Sequence, residues 1–307
     1  MNKVIYAVDV GGTTIKLARF KSGGALEETF EIRTDRSDKG ANVFRDLAKA
    51  ITVRTPDLSS IEGIGVGVPG PVKDTTVFNA VNVGWGTLDV KVKVGEALGK
   101  DIPIYVENDA NLAALGEYYT HKNISSMVLI ALGTGIGGGI ITNGTIWTGS
   151  NAAAGELGHM KLRTSGNKCA CGNIGCFETF SSAKAIRIKA QEQMSKGRDT
   201  VMKKEDRISA KTVFDAAKMG DELALEIIDK ASYYIARAIQ IVTVTVDPDV
   251  VYIGGGLSKA GRFFIDKIEA HFKRLAFPNV KATPIKQATL VEKANIYGGY
   301  ALVKHHG

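Results

Sequence analysis

No run of about 18 apolar residues occurs anywhere in the 307-residue chain, so nothing in it reads as a membrane-spanning helix and no membrane partner is expected. The opening residues, MNKVIYAVDV, lack the charged, apolar and small-residue order of a signal peptide and enter a strand pattern at once, which points to a cytoplasmic protein. Cysteine is scarce. Cys169, Cys171 and Cys176 are the only three, an odd count packed into one short segment, which argues against a disulfide framework and suits a shared metal. Lysine and arginine outnumber aspartate and glutamate by 39 to 32, yet no dense basic helix with interleaved aromatics is present. The net charge of +7 therefore reads as a solvated surface, and no nucleic-acid partner is expected. The Walker pattern GxxxxGK[ST] is missing, the dinucleotide fingerprint is not in its expected place, and no repeat of fixed period is visible.

What the chain does have is glycine in runs. ALGTGIGGGIITNG, from Ala131 to Gly144, carries six glycines between apolar β-formers, and AVDVGGTTIK, from Ala7 to Lys16, is a second such run. Around the latter, Val4 to Val8 and Ile15 to Phe20 read as strands joined by a tight turn at Gly11 and Gly12, with a third strand at Leu26 to Ile32. Residues 41–53 show helical spacing, and IEGIGVGV is a strand stopped by Pro69 and Gly70. PIYVENDANLAALGEYY reads as strand, polar turn, helix. A second round begins with two strand-like runs flanking Gly133 to Gly139, with Asn143 and Gly144 as a hairpin turn. Glu222 to Val246 is a long helix by its period, followed by the buried strand VVYI and a third glycine cluster. The charged segment Ser195 to Ser209 is expected to be a solvated loop. This order is that of an α/β protein of about two domains, long enough to bury ample core.

Glycine permits positive φ and lets backbone N–H groups face an anion with no Cβ in the way, so two such turns suit a nucleotide's phosphates. In DVGGTTIK, Asp9 stands at a strand end where it can hold Mg²⁺, Gly11 and Gly12 make the turn, Thr13 adds a hydroxyl and Lys16 a positive charge. Gly133, Thr134, Gly135 and Gly137 are the matching candidates in the second run. Gly254, Gly255 and Gly256 suit a flat adenine or ribose resting against backbone. Cys169, Cys171 and Cys176 with His159 make a Cys₃His set of the kind that holds structural, tetrahedral Zn²⁺, and Gly172 and Gly175 allow the knuckle to turn back.

DVGGTTIK, ENDAN, LGTGIGGGI, GELGHM and CACGNIGCFE stand in the order and spacing of the ROK family of bacterial sugar kinases and sugar-responsive repressors, which the chain resembles over nearly its whole length. The resemblance implies a two-lobed, actin-like and hexokinase-like (ribonuclease H-like) α/β fold closing over ATP and a hexose, as a homodimer or homotetramer. The lobes expected are a small one at residues 1–118, rejoined by a C-terminal helix at 294–307, and a large one at 119–293 with the zinc segment. Asn108 and Asp109 sit at a strand-to-helix junction, where either could serve simply as a helix cap. The resemblance makes Asp109 the catalytic base for the sugar 6-hydroxyl. It places Asn108, Asp109, Glu156, His159 and Glu178 on the hexose, with Gly70 and Asn82 completing the pocket.

A metal bound to His159 would orient the imidazole toward the sugar. The expected activity is that of a glucokinase. N-acetylmannosamine, fructose, mannose or a β-glucoside are the alternative substrates, and a sugar-sensing regulator is the alternative class, disfavoured by the short stretch ahead of the first strand. Val291 and Asn295 depart from the family, where many relatives carry glycine near the final helix.

Overall fold

The computed structural model describes residues 3–121 and 123–306. In chain order the first elements are β1 (Val4–Val10), β2 (Thr14–Lys21), β3 (Leu26–Arg33), α1 (Asn42–Arg54), β4 (Ile61–Val68), β5 (Val72–Lys73), β6 (Thr76–Val77), β7 (Leu88–Asp89), α2 (Val90–Leu98), β8 (Ile104–Asn108) and α3 (Asp109–Tyr119). There follow β9 (Met127–Leu132), β10 (Ile136–Thr142), β11 (Thr145–Ile146), α4 (Glu178–Ser181), α5 (Ala183–Ser195), α6 (Ala210–Lys218), α7 (Glu222–Val246), β12 (Val250–Gly254), α8 (Arg262–Leu275), β13 (Ile285–Gln287) and α9 (Ala294–His306). The chain divides into two units. One comprises Met1–Asn123, Thr145–Ala154 and Glu292–Gly307; the other comprises Ile124–Gly144 and Gly155–Val291.

The first unit is built on a sheet in the order β3-β2-β1-β4-β8. β1 pairs antiparallel with β2 and parallel with β4, which in turn pairs parallel with β8. The central strand is covered on both faces, which is why VIYAVDV carries almost no polar residue. Tyr6, Val8 and Val10 pack among the apolar residues of α1 and α2, while Ile5 and Ala7 pack against Ile296, Tyr300 and Val303 of α9. In α1 the buried Val43, Phe44, Leu47, Ala48 and Ile51 recur at helical spacing. α9 lies so close to the sheet that a Cβ on Gly65 would run into the Gly299 carbonyl.

The second unit repeats the plan in the order β10-β9-β12-β13: an antiparallel hairpin, then parallel neighbours. Val128, Ile130, Val251 and Ile253 share a core with Ile228, Ile235 and Ile239 of α7 and Phe264 and Ile268 of α8. α7 starts where Asp221 accepts the Ala224 N–H at 2.8 Å and stops where Asp247 turns left-handed at φ 49°, the limits its period predicts. Asn143 and Gly144 have φ of 51° and 76°, as the hairpin turn requires.

One expectation fails here. The segment Ser195–Ser209 is not wholly a solvated loop: Val201–Lys204 forms a 3-10 turn that drives Met202 into the core at 1% exposure, capped by Thr200 on the Met202 N–H. A single apolar anchor in a charged run has no periodicity to reveal it. Among the described residues, no helix is long and apolar enough to cross a membrane.

Candidate active site

In the first unit the β1–β2 turn is closed by the Gly11 N–H on the Thr14 carbonyl at 3.1 Å. It is then clamped by Thr34, whose hydroxyl donates to the Gly11 carbonyl at 2.7 Å and whose N–H donates to the Thr13 carbonyl at 2.9 Å. Positive φ plays no part at Gly11, Gly12, Gly133, Gly135 or Gly137, which corrects the sequence expectation. What excludes a side chain at Gly12 is proximity: a Cβ there would stand 2.8 Å from the Asn82 carbonyl oxygen, so these two candidate positions meet.

Asp9, the last residue but one of β1, stands in register with Lys16 on β2. Burial raises its pKa, against the lowering effects of a hydrogen bond from the Asn295 side chain and the Lys16 charge. A half-buried carboxylate that its neighbours compensate incompletely is a fitting oxygen donor for a divalent cation. Asn295 thus acquires a role that its departure from the family pattern did not disclose.

β8 runs into α3 at Asn108, and here Asn108 is the cap: its Oδ1 accepts the N–H groups of Ala110 and Asn111 at 2.9 and 3.2 Å. Its Nδ2 donates to the Gly70 carbonyl at 3.0 Å, joining two more candidate positions. Asp109 is the first helical residue, with Oδ1 accepting from the Ala110 N–H at 2.8 Å, where the positive end of the helix favours a carboxylate. Two residues before Asp109, Glu107 is buried at 9% exposure, and burial raises its pKa.

In the second unit the β9–β10 turn is closed by the Gly133 N–H on the Gly135 carbonyl at 3.0 Å, and the Ala183 N–H ties the Gly133 carbonyl to the start of α5 at 2.9 Å. Thr134 is exposed at the tip, whereas Gly137 lies within β10, paired with Ala131, and so belongs to the ladder and not to the turn. A Cβ on Gly133 would meet nothing nearer than the Gly135 carbonyl oxygen at 3.9 Å. Gly254 ends β12, and Gly255, at φ 76°, crosses so near the Leu132 carbonyl that a Cβ would stand 2.5 Å from it. The third cluster therefore abuts the second loop. Gly256 opens a 3-10 turn in open space.

Glu156 precedes the turn Leu157–His159 and His159 ends it, with Glu156 Oε2 3.9 Å from His159 Nε2. The other ring nitrogen, Nδ1, faces Cys169 Sγ at 3.5 Å. Cys169 Sγ in turn donates to Glu178 Oε1 at 3.1 Å, and Glu178 Oε2 lies 2.9 Å from where a Gly135 Cβ would be. Candidate sugar, phosphate-loop and metal positions thus converge within this unit.

The knuckle folds back as its glycines predict, with φ of 92° at Gly172 and 84° at Gly175 and bridges Lys168–Ile174 and Lys161–Cys176. The donor atoms of His159, Cys169, Cys171 and Cys176 all lie within 4.8 Å of one another, Cys171 and Cys176 being 3.7 Å apart. A tetrahedron with bonds of about 2.3 Å has edges of about 3.8 Å, so the cluster has the size and the chemistry of a four-coordinate thiolate–imidazole metal site. Without a metal, burial pushes the Cys169 thiol up to about 12, while the Asn173 backbone N–H brings Cys171 down to about 7.

Sequence reasoning misses Thr34 and Glu107. Nothing in a lone threonine at a strand end signals a clamp, and Glu107 stands inside a motif whose neighbours claim attention.

A family model described as ROK family matches residues 5–306. The chain is 39% identical to the glucokinase of Halalkalibacterium halodurans over 97% of this chain and 94% of the other. It is 28% identical to the xylose repressor of Caldicellulosiruptor bescii over 97% of this chain and 77% of that longer protein. Its fold matches the crystal structure of a ROK family glucokinase from Streptomyces griseus in complex with glucose and AMPPNP with a TM-score of 0.81, at 29% identity and covering 98% of this chain and 99% of the other.

Proposed function

Because the chain belongs to the ROK family, we propose that it is an ATP-dependent hexose kinase that phosphorylates the 6-hydroxyl of glucose. The observation that carries this reading is the head of α3, where Asn108 caps the helix, grips the Gly70 carbonyl at 3.0 Å and leaves Asp109 as the first helical residue. Asp109 orients the 6-hydroxyl and accepts its proton as the oxygen attacks the γ-phosphorus, late in a loose transition state that asks little of the base. The sugar ligands of this reading are Gly70, Asn82, Asn108, Glu156, His159 and Glu178, which offer directional hydrogen bonds to hydroxyl groups.

The turn amides of Gly11 to Thr13 and of Gly133 to Gly135, with Lys16, bind the phosphates of ATP; Gly254 to Gly256 receive the nucleoside. Gly133 supports this, since neither its φ nor any neighbour among the described residues demands a glycine there, while an approaching phosphate would. Asp9, oriented by Asn295, would hold Mg²⁺, which neutralises phosphate charge when bound. His159, Cys169, Cys171 and Cys176 would hold Zn²⁺, whose four positions filled by protein leave it an orienting role. With Nδ1 committed to that cluster, His159 keeps Nε2 for the sugar.

The protein acts in the cytoplasm as a homodimer or homotetramer, a state that light scattering at micromolar concentration checks. The decisive experiment is ADP release over a panel of glucose, mannose, fructose, N-acetylmannosamine and a β-glucoside. Glucose is expected to give the highest kcat/KM; another winner reassigns the substrate. Sugar binding with no turnover on any sugar would instead favour a regulator of the kind the xylose repressor represents.

A further inference from the structure

Two glutamates are buried among the described residues, and they differ in company. Glu117 faces His121 at 2.9 Å. Glu107 has no cation in ion-pair range among the described residues, and its carboxylate is enclosed beside a cavity of about 210 Å³ lined also by Val72, Lys73, Asp74 and Thr148. Burying a carboxylate without a counter-charge is costly, and a leucine would fill the same space at lower cost. What a leucine cannot supply is an acceptor.

Glu107 Oε1 accepts the Asn108 backbone N–H at 2.7 Å and the Asn111 Nδ2 at 3.0 Å, bracketing Asp109 on both sides in the chain. Asn111 is itself buried at 6% exposure with its Oδ1 unpartnered. Its side chain therefore keeps its place at the cost of one unsatisfied acceptor, and the bond to Glu107 is the polar gain that its amide obtains. Asn108, meanwhile, is held at its side chain by Gly70 and by the helix N–H groups. The Oε1 bond adds a hold on its main-chain N–H, so the residue that precedes Asp109 is fixed at both its side chain and its backbone.

We propose that Glu107 is a positioning residue: by accepting from the Asn108 peptide and the Asn111 amide, it locks the first turn of α3 in the orientation from which Asp109 meets the sugar hydroxyl. The proposal rests on Asp109 being the base. Displacing a catalytic group by about 1 Å costs on the order of a hundredfold in rate while leaving remote binding contacts in place, so loosening this turn should appear in kcat before KM.

The test compares full-length Glu107→Ala, Glu107→Gln and Asn111→Ala with the parent protein, using glucose and MgATP. Glu107→Ala is expected to lower kcat by about 30- to 100-fold with both KM values within about threefold. Hydrogen exchange at the amides of residues 108–111 should accelerate in the same variant. Glu107→Gln keeps the acceptor oxygen and should restore kcat to within about threefold, and Asn111→Ala should lower it by about three- to tenfold.

Glu107→Gln as slow as Glu107→Ala overturns the proposal, because the acceptor would then not be what matters. So does a loss carried equally by KM, or exchange that does not change. If Glu107→Ala fails to fold, Asn111→Ala decides, and parental kcat and exchange in that variant overturn the proposal. Full turnover in Asp109→Asn would sink the assignment of the base alone; the exchange measurement would still report whether Glu107 holds the turn.

Discussion

The two units share a backbone plan and differ in what they load onto it. Each begins with an antiparallel hairpin whose first strand also pairs in parallel with a strand ending at or near a glycine: Asp9 lies opposite Lys16 and Gly67, and Ala131 lies opposite Gly137 and Gly254. Where the first unit has a carboxylate facing an ammonium, the second has alanine facing glycine. The glycines differ too. Gly12 is required by the protein's own Asn82 carbonyl, whereas nothing among the described residues requires a glycine at Gly133. On the proposed reading, the first unit would supply charge and the base, and the second a bare phosphate turn and sugar ligands beside a Cys₃His cluster.

That division of labour can be broken most sharply at Asp109. Asp109→Asn is expected to reduce kcat by about a thousandfold while calorimetric glucose affinity stays within about threefold, because the amide still hydrogen-bonds but takes no proton. The complementary lesion in the second unit is Cys176→Ser: if the Cys₃His cluster holds zinc as proposed, elemental analysis should find the metal in the parent and not in the variant, and the glucose KM should rise by about tenfold through His159, with less change in kcat. Equal effects of both variants on kcat and KM would erase the distinction between the units.

The glycine contrast has its own test. Gly12→Ala should lower stability by about 1–3 kcal/mol through collision with the Asn82 backbone, read as a drop in Tm. Gly133→Ala should leave Tm unchanged and raise the KM for ATP; a fallen Tm with unaltered ATP kinetics would show that the second loop holds no phosphate.

The smallest effect concerns pH. Burial raises the folded pKa of Glu107 above its ordinary 4.5, so the unfolded chain gives up the proton first and stability falls as pH rises from about 4.5 through the raised value. Lys73 and Asp74 line the same cavity, and the Glu107→Gln comparison holds them constant. The variant should match the parent below pH 4.5 and melt higher near neutrality; parallel Tm profiles across that range would remove the burial cost from the account.

Much of this was legible in the chain, for reasons that differ by element. α7 could be bounded at both ends because 25 residues of regular apolar period leave little ambiguity. The cysteine segment could be read because three scarce thiols in one knuckle have few other uses. The Met202 anchor could not be seen, being one apolar side chain in a charged run. Thr34 could not be tied to Gly11 either, since that contact depends on β3 lying beside β2 in one particular register. Asn295 stood out as a departure without a purpose until α9 brought it to Asp9.

By itself the sequence determined the chemical types available and those strands, helices and turns that carry a regular period or a glycine signal, because burial period and turn chemistry are local properties of neighbouring residues. The tertiary structure alone decided which of those groups meet: Asn108 with Gly70, Gly12 with Asn82, Cys169 with Glu178. Asn108 and Gly70, like Gly12 and Asn82, are joined across tens of positions by strand order and register, and Cys169 meets Glu178 only because the knuckle folds back, so no local spacing along the chain specifies these contacts.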